Sequence, residues 1–105
     1  FETDDPIKIG LKIRKWNMNY LSQGSVVAVV LEGPAAVELV RKLVGKTDPT
    51  AADPGTIRRD YSTDSFAIAN REKRTVRNLI HASGSEEDAR YELNLWFKEN
   101  ELANP

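Results

Sequence analysis

The chain has 105 residues, 40% hydrophobic and 30% charged, with 15 Lys/Arg, 16 Asp/Glu, one histidine and no cysteine. That length allows one domain with a modest core, and no apolar run approaches the ~18 residues a transmembrane helix needs. Disulfides and thiolate metal sites are excluded, a histidine-rich metal site is excluded too, and a reducing cytoplasm is the expected setting. The net charge of -1 conceals a skew, because Arg41 to Arg77 holds nine Lys/Arg against five Asp/Glu and the chain turns acidic after His81. Only Tyr61 and Phe66 interleave with that basic stretch, too few for base stacking, so nucleic acid is not an expected partner.

The stretch "TDDPIKIGLKIRKWNMNYLSQG" predicts a helix with Asp5 as N-cap, Pro6 at its first position and Gly24 as its stop. Ile9, Ile13, Trp16 and Tyr20 share one face. "SVVAVVLEG" is a β-branched run suited to a buried central strand, and Pro34 opens a second helix closed by Gly45. From Lys46 to about Arg74 periodicity fails, and Asp48-Pro49, Asp53-Pro54-Gly55 and Asp64-Ser65 read as turns in a long, irregular, functional loop. "VRNLIHAS" is expected to be a short strand, Ser85 to cap an acidic-started last helix, and "KENELANP" to be a tail. This order indicates an α+β fold whose small sheet is short of partners. The start at Phe1 rather than methionine points to a removed leader or a piece of something longer.

His81, the lone histidine, ends an apolar run. Either it is a core histidine satisfied by a backbone carbonyl, or it is presented for chemistry with one ring nitrogen held and the other free. Glu92 in the following helix is the candidate acceptor, and the Ser83–Ser85 turn offers N–H groups and a hydroxyl suited to an anion. Thr56, Arg58 and Arg59 on the loop, with Arg41 ahead of Thr47, supply guanidinium forks fit for phosphate. No GxxxxGK[ST] occurs, so the chain is not a P-loop protein. The ensemble fits a histidine nucleophile that accepts a phosphoryl group while cations spread its charge.

The segments "VVAVVLEGPAAVELVRKLVGKTDPTAADPGTIRRDY" and "RNLIHASGSEEDARYELNLWF" closely resemble the nucleoside diphosphate kinase family, from Val26 to Leu102. The resemblance implies a ferredoxin-like sandwich of helices on an antiparallel sheet, with residues 1–105 forming a partial domain that lacks the N-terminal strand–helix–strand. It implies a ping-pong transfer of the γ-phosphate from a nucleoside triphosphate to a nucleoside diphosphate. In that transfer His81 would be phosphorylated on Nδ1, with Glu92 and Ser83 in its hydrogen-bond network. Arg41, Thr47 and Arg58 would hold the phosphates, and Asn78 would lie near sugar and phosphates. Mg2+ as cofactor, ATP and nucleoside diphosphates as partners, and a homo-oligomer, hexamer or tetramer, are implied as well. No metal ligand among these residues and no membrane association is expected.

Three departures accompany the resemblance. Arg59 stands where the family normally has glycine and would cost roughly 1 kcal/mol or more if a positive φ were required there. Ser25 stands where proline is usual. The upstream lysine, tyrosine and stacking phenylalanine have no counterpart here, so the alternative expectation is a catalytically incomplete nucleotide-binding or complementing fragment.

Overall fold

The computed structural model describes residues 3–102. Helix α1 spans Pro6–Leu21, with the Asp5 carboxylate accepting from the Ile7 N–H at 3.0 Å and Pro6 in the first turn, where its missing N–H has no partner to lose. Ile9, Trp16 and Tyr20 are half-buried, whereas Ile13 is 40% exposed. The helix docks through Trp16, Asn19 and Tyr20 beside Lys73–Thr75, and the Thr75 hydroxyl donates to Asn17 Oδ1 at 2.5 Å. Its other side leaves Ile7, Leu11, Met18 and Leu21 in solvent.

Helix α2, Ala36–Val44, ends on Gly45 at φ 93°. A Cβ on Gly45 would stand 2.6 Å from Thr56 Oγ1, so this position requires glycine for both its left-handed backbone and the close approach of Thr56. Val44, Pro49, Ala52, Ala69 and Val76 form the small buried core around this junction.

The stretch expected to be an irregular loop is instead three short helical pieces, each started by a residue of the turn-forming type. Asp48 caps a 3₁₀ turn at Pro49–Ala51, Thr56 caps α3 at Ile57–Tyr61, and Ser65 caps α4 at Phe66–Arg71. Each cap oxygen accepts a backbone N–H two or three residues on, at 3.0, 3.3 and 3.1 Å. Five or six residues are too few to display a helical period, so the polar residues were visible and the helices were not. Arg59 lies inside α3 and is not among the residues with positive φ, so the expected backbone cost is absent; its guanidinium donates to the Thr50 carbonyl at 2.6 Å.

Helix α5, Glu86–Trp96, is capped by Ser85, which accepts the Asp88 N–H at 3.1 Å, with Glu86, Glu87 and Asp88 at the positive end of the helix. Part of the expected tail forms a 3₁₀ turn, Glu99–Glu101; residues 103–105 lie outside the described residues, as does the start at Phe1.

The expected α+β arrangement, a ferredoxin-like sandwich of helices on an antiparallel sheet lacking its N-terminal strand–helix–strand, is matched in its helices, but the two segments expected to be strands differ from expectation. Among the described residues neither 25–33 nor 76–83 forms a β-ladder. A strand exists by virtue of its neighbour, and the valine run has none here: Val27 is 91% exposed and Val29 69%. The Cα radius of gyration, 15.6 Å, exceeds the roughly 13 Å of a compact chain this long, in keeping with uncovered apolar faces.

Residues 62–77 are tied by an ion pair. Arg74 approaches Asp64 at 2.7 and 3.1 Å, and this pairing, with the N–H bonds of Arg77 and Ser65, draws the Asp64 carboxyl from 3.8 down to about 2 against the opposing effect of burial. A depressed carboxyl contributes stability that is complete above its unfolded value and lost as pH falls through the folded one. Unfolding measured against pH is therefore expected to lose about 2 kcal/mol between about pH 4 and pH 2. The Asp64→Asn variant lacks that step. Arg59→Gly is expected to lower stability by about 1 kcal/mol, because it removes a helical residue rather than relieving strain; denaturant unfolding checks this.

Candidate phosphohistidine site

Glu92 of α5 and two residues ahead of that helix, His81 and Ser83, form one hydrogen-bonded cluster. His81 Nε2 lies 2.5 Å from Glu92 Oε1, and the Ser83 hydroxyl bonds to Glu92 Oε2. Burial raises the Glu92 carboxyl, but the bonds from Ser83 and His81 outweigh it and hold the group below its ordinary value. Glu92 is thus an acceptor, so Nε2 is the nitrogen that donates to it, and the tautomer with its hydrogen on Nε2 has its lone pair on Nδ1. The His81 side chain is 71% exposed, and no described side chain occupies Nδ1. A core histidine, the other possibility open from the sequence, is excluded by that exposure.

The backbone leading to His81 is bent at Leu79. Leu79 has φ 75°, and the Ile80 N–H bonds back to the Asn78 carbonyl at 3.0 Å, a γ-turn of the rare, strained hand. Such a conformation at leucine costs of order 1–3 kcal/mol and persists only when neighbours hold it. Nothing in the sequence signals this; leucine gives no warning of a left-handed φ. Gly84 follows between the two serines, where a Cβ would come within 2.9 Å of the Asp88 carboxylate and 3.8 Å of Arg41 Nη1.

Of the phosphate-binding candidates, the structure brings Arg41 and Arg58 to this turn. Arg41, in the last turn of α2, is exposed and reaches toward Gly84. Arg58 is 8% exposed and serves the main chain: Nε and Nη2 donate to the Ile80 carbonyl at 3.2 and 2.5 Å, and Nη1 to the Gly45 carbonyl at 3.1 Å. Each terminal nitrogen retains a second N–H for another acceptor. Burial and the nearby charge of Arg41 lower the Arg58 pKa, so the two cations lie near enough to repel each other. Thr47 is exposed in the bend after Gly45, and Asn78 is half-buried just before the strained turn; neither makes a side-chain bond to His81 or Glu92.

The residues do not fit a protein-built metal centre: among the described residues no group of three His, Cys, Asp or Glu is placed to hold an ion, and Glu92 is already engaged.

The sequence profile of the family described as "Nucleoside diphosphate kinase" matches residues 13–102. The chain belongs to the nucleoside diphosphate kinase family. It is 50% identical over 100 residues to the nucleoside diphosphate kinase of Pyrobaculum aerophilum, across 95% of this chain and 55% of that protein. It is 45% identical over 91 residues to the enzyme of Borreliella burgdorferi, across 85% of this chain and 54% of the relative. The crystal structure of an NDP kinase from Pyrobaculum aerophilum superposes with a TM-score of 0.94 at 49% identity, covering 97% of this chain and 56% of the other. A transition-state mimic of the Borrelia burgdorferi nucleoside-diphosphate kinase, with vanadate and ADP bound, gives 0.65 at 48% identity over 67% of this chain and 42% of that one. The chain therefore spans about half the length of the family relatives it matches.

Arg58→Lys is expected to lower the stability of this family member by about 2 kcal/mol, because one ammonium cannot serve both the Gly45 and Ile80 carbonyls. Denaturant unfolding monitored at Trp16 and Trp96 checks it.

Proposed function

We propose that this chain is the nucleophile-bearing part of a nucleoside diphosphate kinase, competent to bind phosphate and incomplete as a catalyst by itself. The observation that carries the reading is a Glu92–His81–Ser83 array, with Nδ1 open, on a scaffold whose strand segments have no ladder among the described residues.

In the proposed half-reaction, the lone pair on His81 Nδ1 attacks the γ-phosphorus of a nucleoside triphosphate. The Nδ1–P bond forms as the bond from phosphorus to the β–γ bridging oxygen breaks, and the nucleoside diphosphate leaves with the electron pair. The ring becomes positively charged, and the Glu92 carboxylate stabilises it through Nε2–H. Attack by the terminal oxygen of a second nucleoside diphosphate reverses the step. Arg41 and the spare N–H groups of Arg58 neutralise the transferring group, Thr47 donates to the phosphates, and Asn78 lies toward the sugar. Magnesium, when bound with the triphosphate, would screen the phosphate charge, and no described residue is assigned to hold it.

The vanadate–ADP complex of the Borrelia burgdorferi relative supports phosphoryl transfer as the class of reaction. Within the same reading the substrates are ATP and nucleoside diphosphates, the assembly a homo-oligomer and the setting the cytoplasm. Among the described residues no helix is long and apolar enough to cross a membrane. Incompleteness is supported by the exposed 26–31 run, because apolar side chains left in water forgo the burial that stabilises a fold.

Intact-mass spectrometry after incubation with ATP and magnesium tests the proposal. The expected result is a slow, partial, acid-labile phosphoryl adduct that is absent from His81→Ala. Sustained turnover is expected only once the part of the Pyrobaculum aerophilum relative that this chain does not cover is supplied in trans. Full turnover by this chain alone would overturn the incompleteness. Absence of any adduct, with or without the added segment, would overturn the chemistry.

A further inference from the structure

Residues Arg77–Ile80 lead directly into His81 and have no ladder partner among the described residues, so their main-chain polar groups must be satisfied by other means. Two residues of the loop between α3 and α4 take both groups of Arg77. The Asp64 carboxylate accepts the Arg77 N–H at 2.7 Å, and the Ser62 hydroxyl donates to the Arg77 carbonyl at 2.8 Å. Beyond Leu79, Arg58 grips the Ile80 carbonyl with two nitrogens. The strained γ-turn is therefore clamped on both sides, and both clamps come from one short stretch, because Arg58 belongs to α3 and Ser62 is its C-cap.

That stretch is itself anchored. The Ser62 N–H returns to the Arg58 carbonyl at 3.1 Å, the Asp64 N–H bonds to Ser62 Oγ at 3.3 Å, and Arg74 fixes the Asp64 carboxylate. A β-ladder partner would offer the same donor and acceptor to Arg77; here two side chains supply them.

Building on the phosphohistidine reading, we propose that Ser62 and Asp64 are positioning residues for the site. By holding Arg77 they keep Leu79 in its left-handed turn, and so fix where Asn78 lies and how the His81 ring meets Glu92. When the grip is released, Leu79 relaxes toward an ordinary negative φ, the Ile80 carbonyl swings off Arg58, and Nε2 loses its alignment with Glu92. The role is orientation; neither residue touches the reacting atoms.

A single histidine makes this directly measurable, because every imidazole signal in the 15N–1H spectrum is from His81. In the unaltered chain at neutral pH the Nε2–H form of the neutral ring is expected to exceed the Nδ1–H form about tenfold or more, as a bond to an ionised acceptor dictates. In Asp64→Asn the Arg77 amide resonance is expected to shift and the tautomer preference to fall about threefold or more. Ser62→Ala, which leaves the Asp64–Arg74 ion pair in place, is expected to move both signals in the same direction by less, and it serves as the test should Asp64→Asn fail to fold. An Arg77 amide that moves while the tautomer ratio stays unchanged would overturn the proposal, and so would an Arg77 amide that does not respond. The readout needs no nucleotide and no turnover, so it stands or falls separately from the phosphoryl-transfer reading.

Discussion

One guanidinium joins the parts of this chain that matter. Arg58, buried in a five-residue helix, bonds the carbonyl that ends α2 and the carbonyl next to the histidine. The Gly45 C-cap, the Thr56-capped helix and the strained Leu79 turn converge on it, and the small core of Val44, Pro49 and Ala52 lies beside it. Such a buried cation is tolerable only because carbonyl oxygens replace its water. The guanidinium also keeps N–H groups beyond those the two carbonyls take up.

The site follows from that anchor by short steps. With Ile80 fixed, the turn presents His81 outward, and the Ser85 cap starts α5 at a point that brings Glu92 back over the imidazole. Glu92 then acts through its charge: an ionised acceptor shared by Ser83 and His81 favours the ring tautomer with its hydrogen on Nε2 and its lone pair on Nδ1. Arg41 approaches the same turn at Gly84, where the absence of a Cβ leaves room between the guanidinium and Asp88. The imidazole is thus exposed on a segment whose main chain Arg58 holds at Ile80 and which Arg41 approaches at Gly84.

Much of this was legible in the residues. Asp5-Pro6, Gly45 and Ser85 are chemical punctuation whose structural meaning is nearly unambiguous, and the structure uses each as read. The pairing of His81 with Glu92 was legible as a possibility, because a reactive imidazole needs an acceptor and a tight reversal folds the following helix back. The short helices after Lys46 were not legible, since their capping residues are also turn residues and five residues carry no period. Leu79 was not legible either, because its left-handed backbone is imposed by contacts from Arg58 and residues 62–64 rather than by its own preference. The two strands were misjudged for an instructive reason. "SVVAVV" has the composition of a strand, but composition specifies only willingness to pair, and pairing requires a second segment.

The central claim is that side chains from α3 and its following loop hold the histidine segment while the valine run remains unpaired. Amide hydrogen exchange resolved by residue tests it most directly. The amides of 26–31 are expected to exchange at nearly the rate of an unstructured peptide while those of Arg77 and α2 are slowed. Slow exchange across 26–31 in the isolated chain would reveal a ladder and contradict the account.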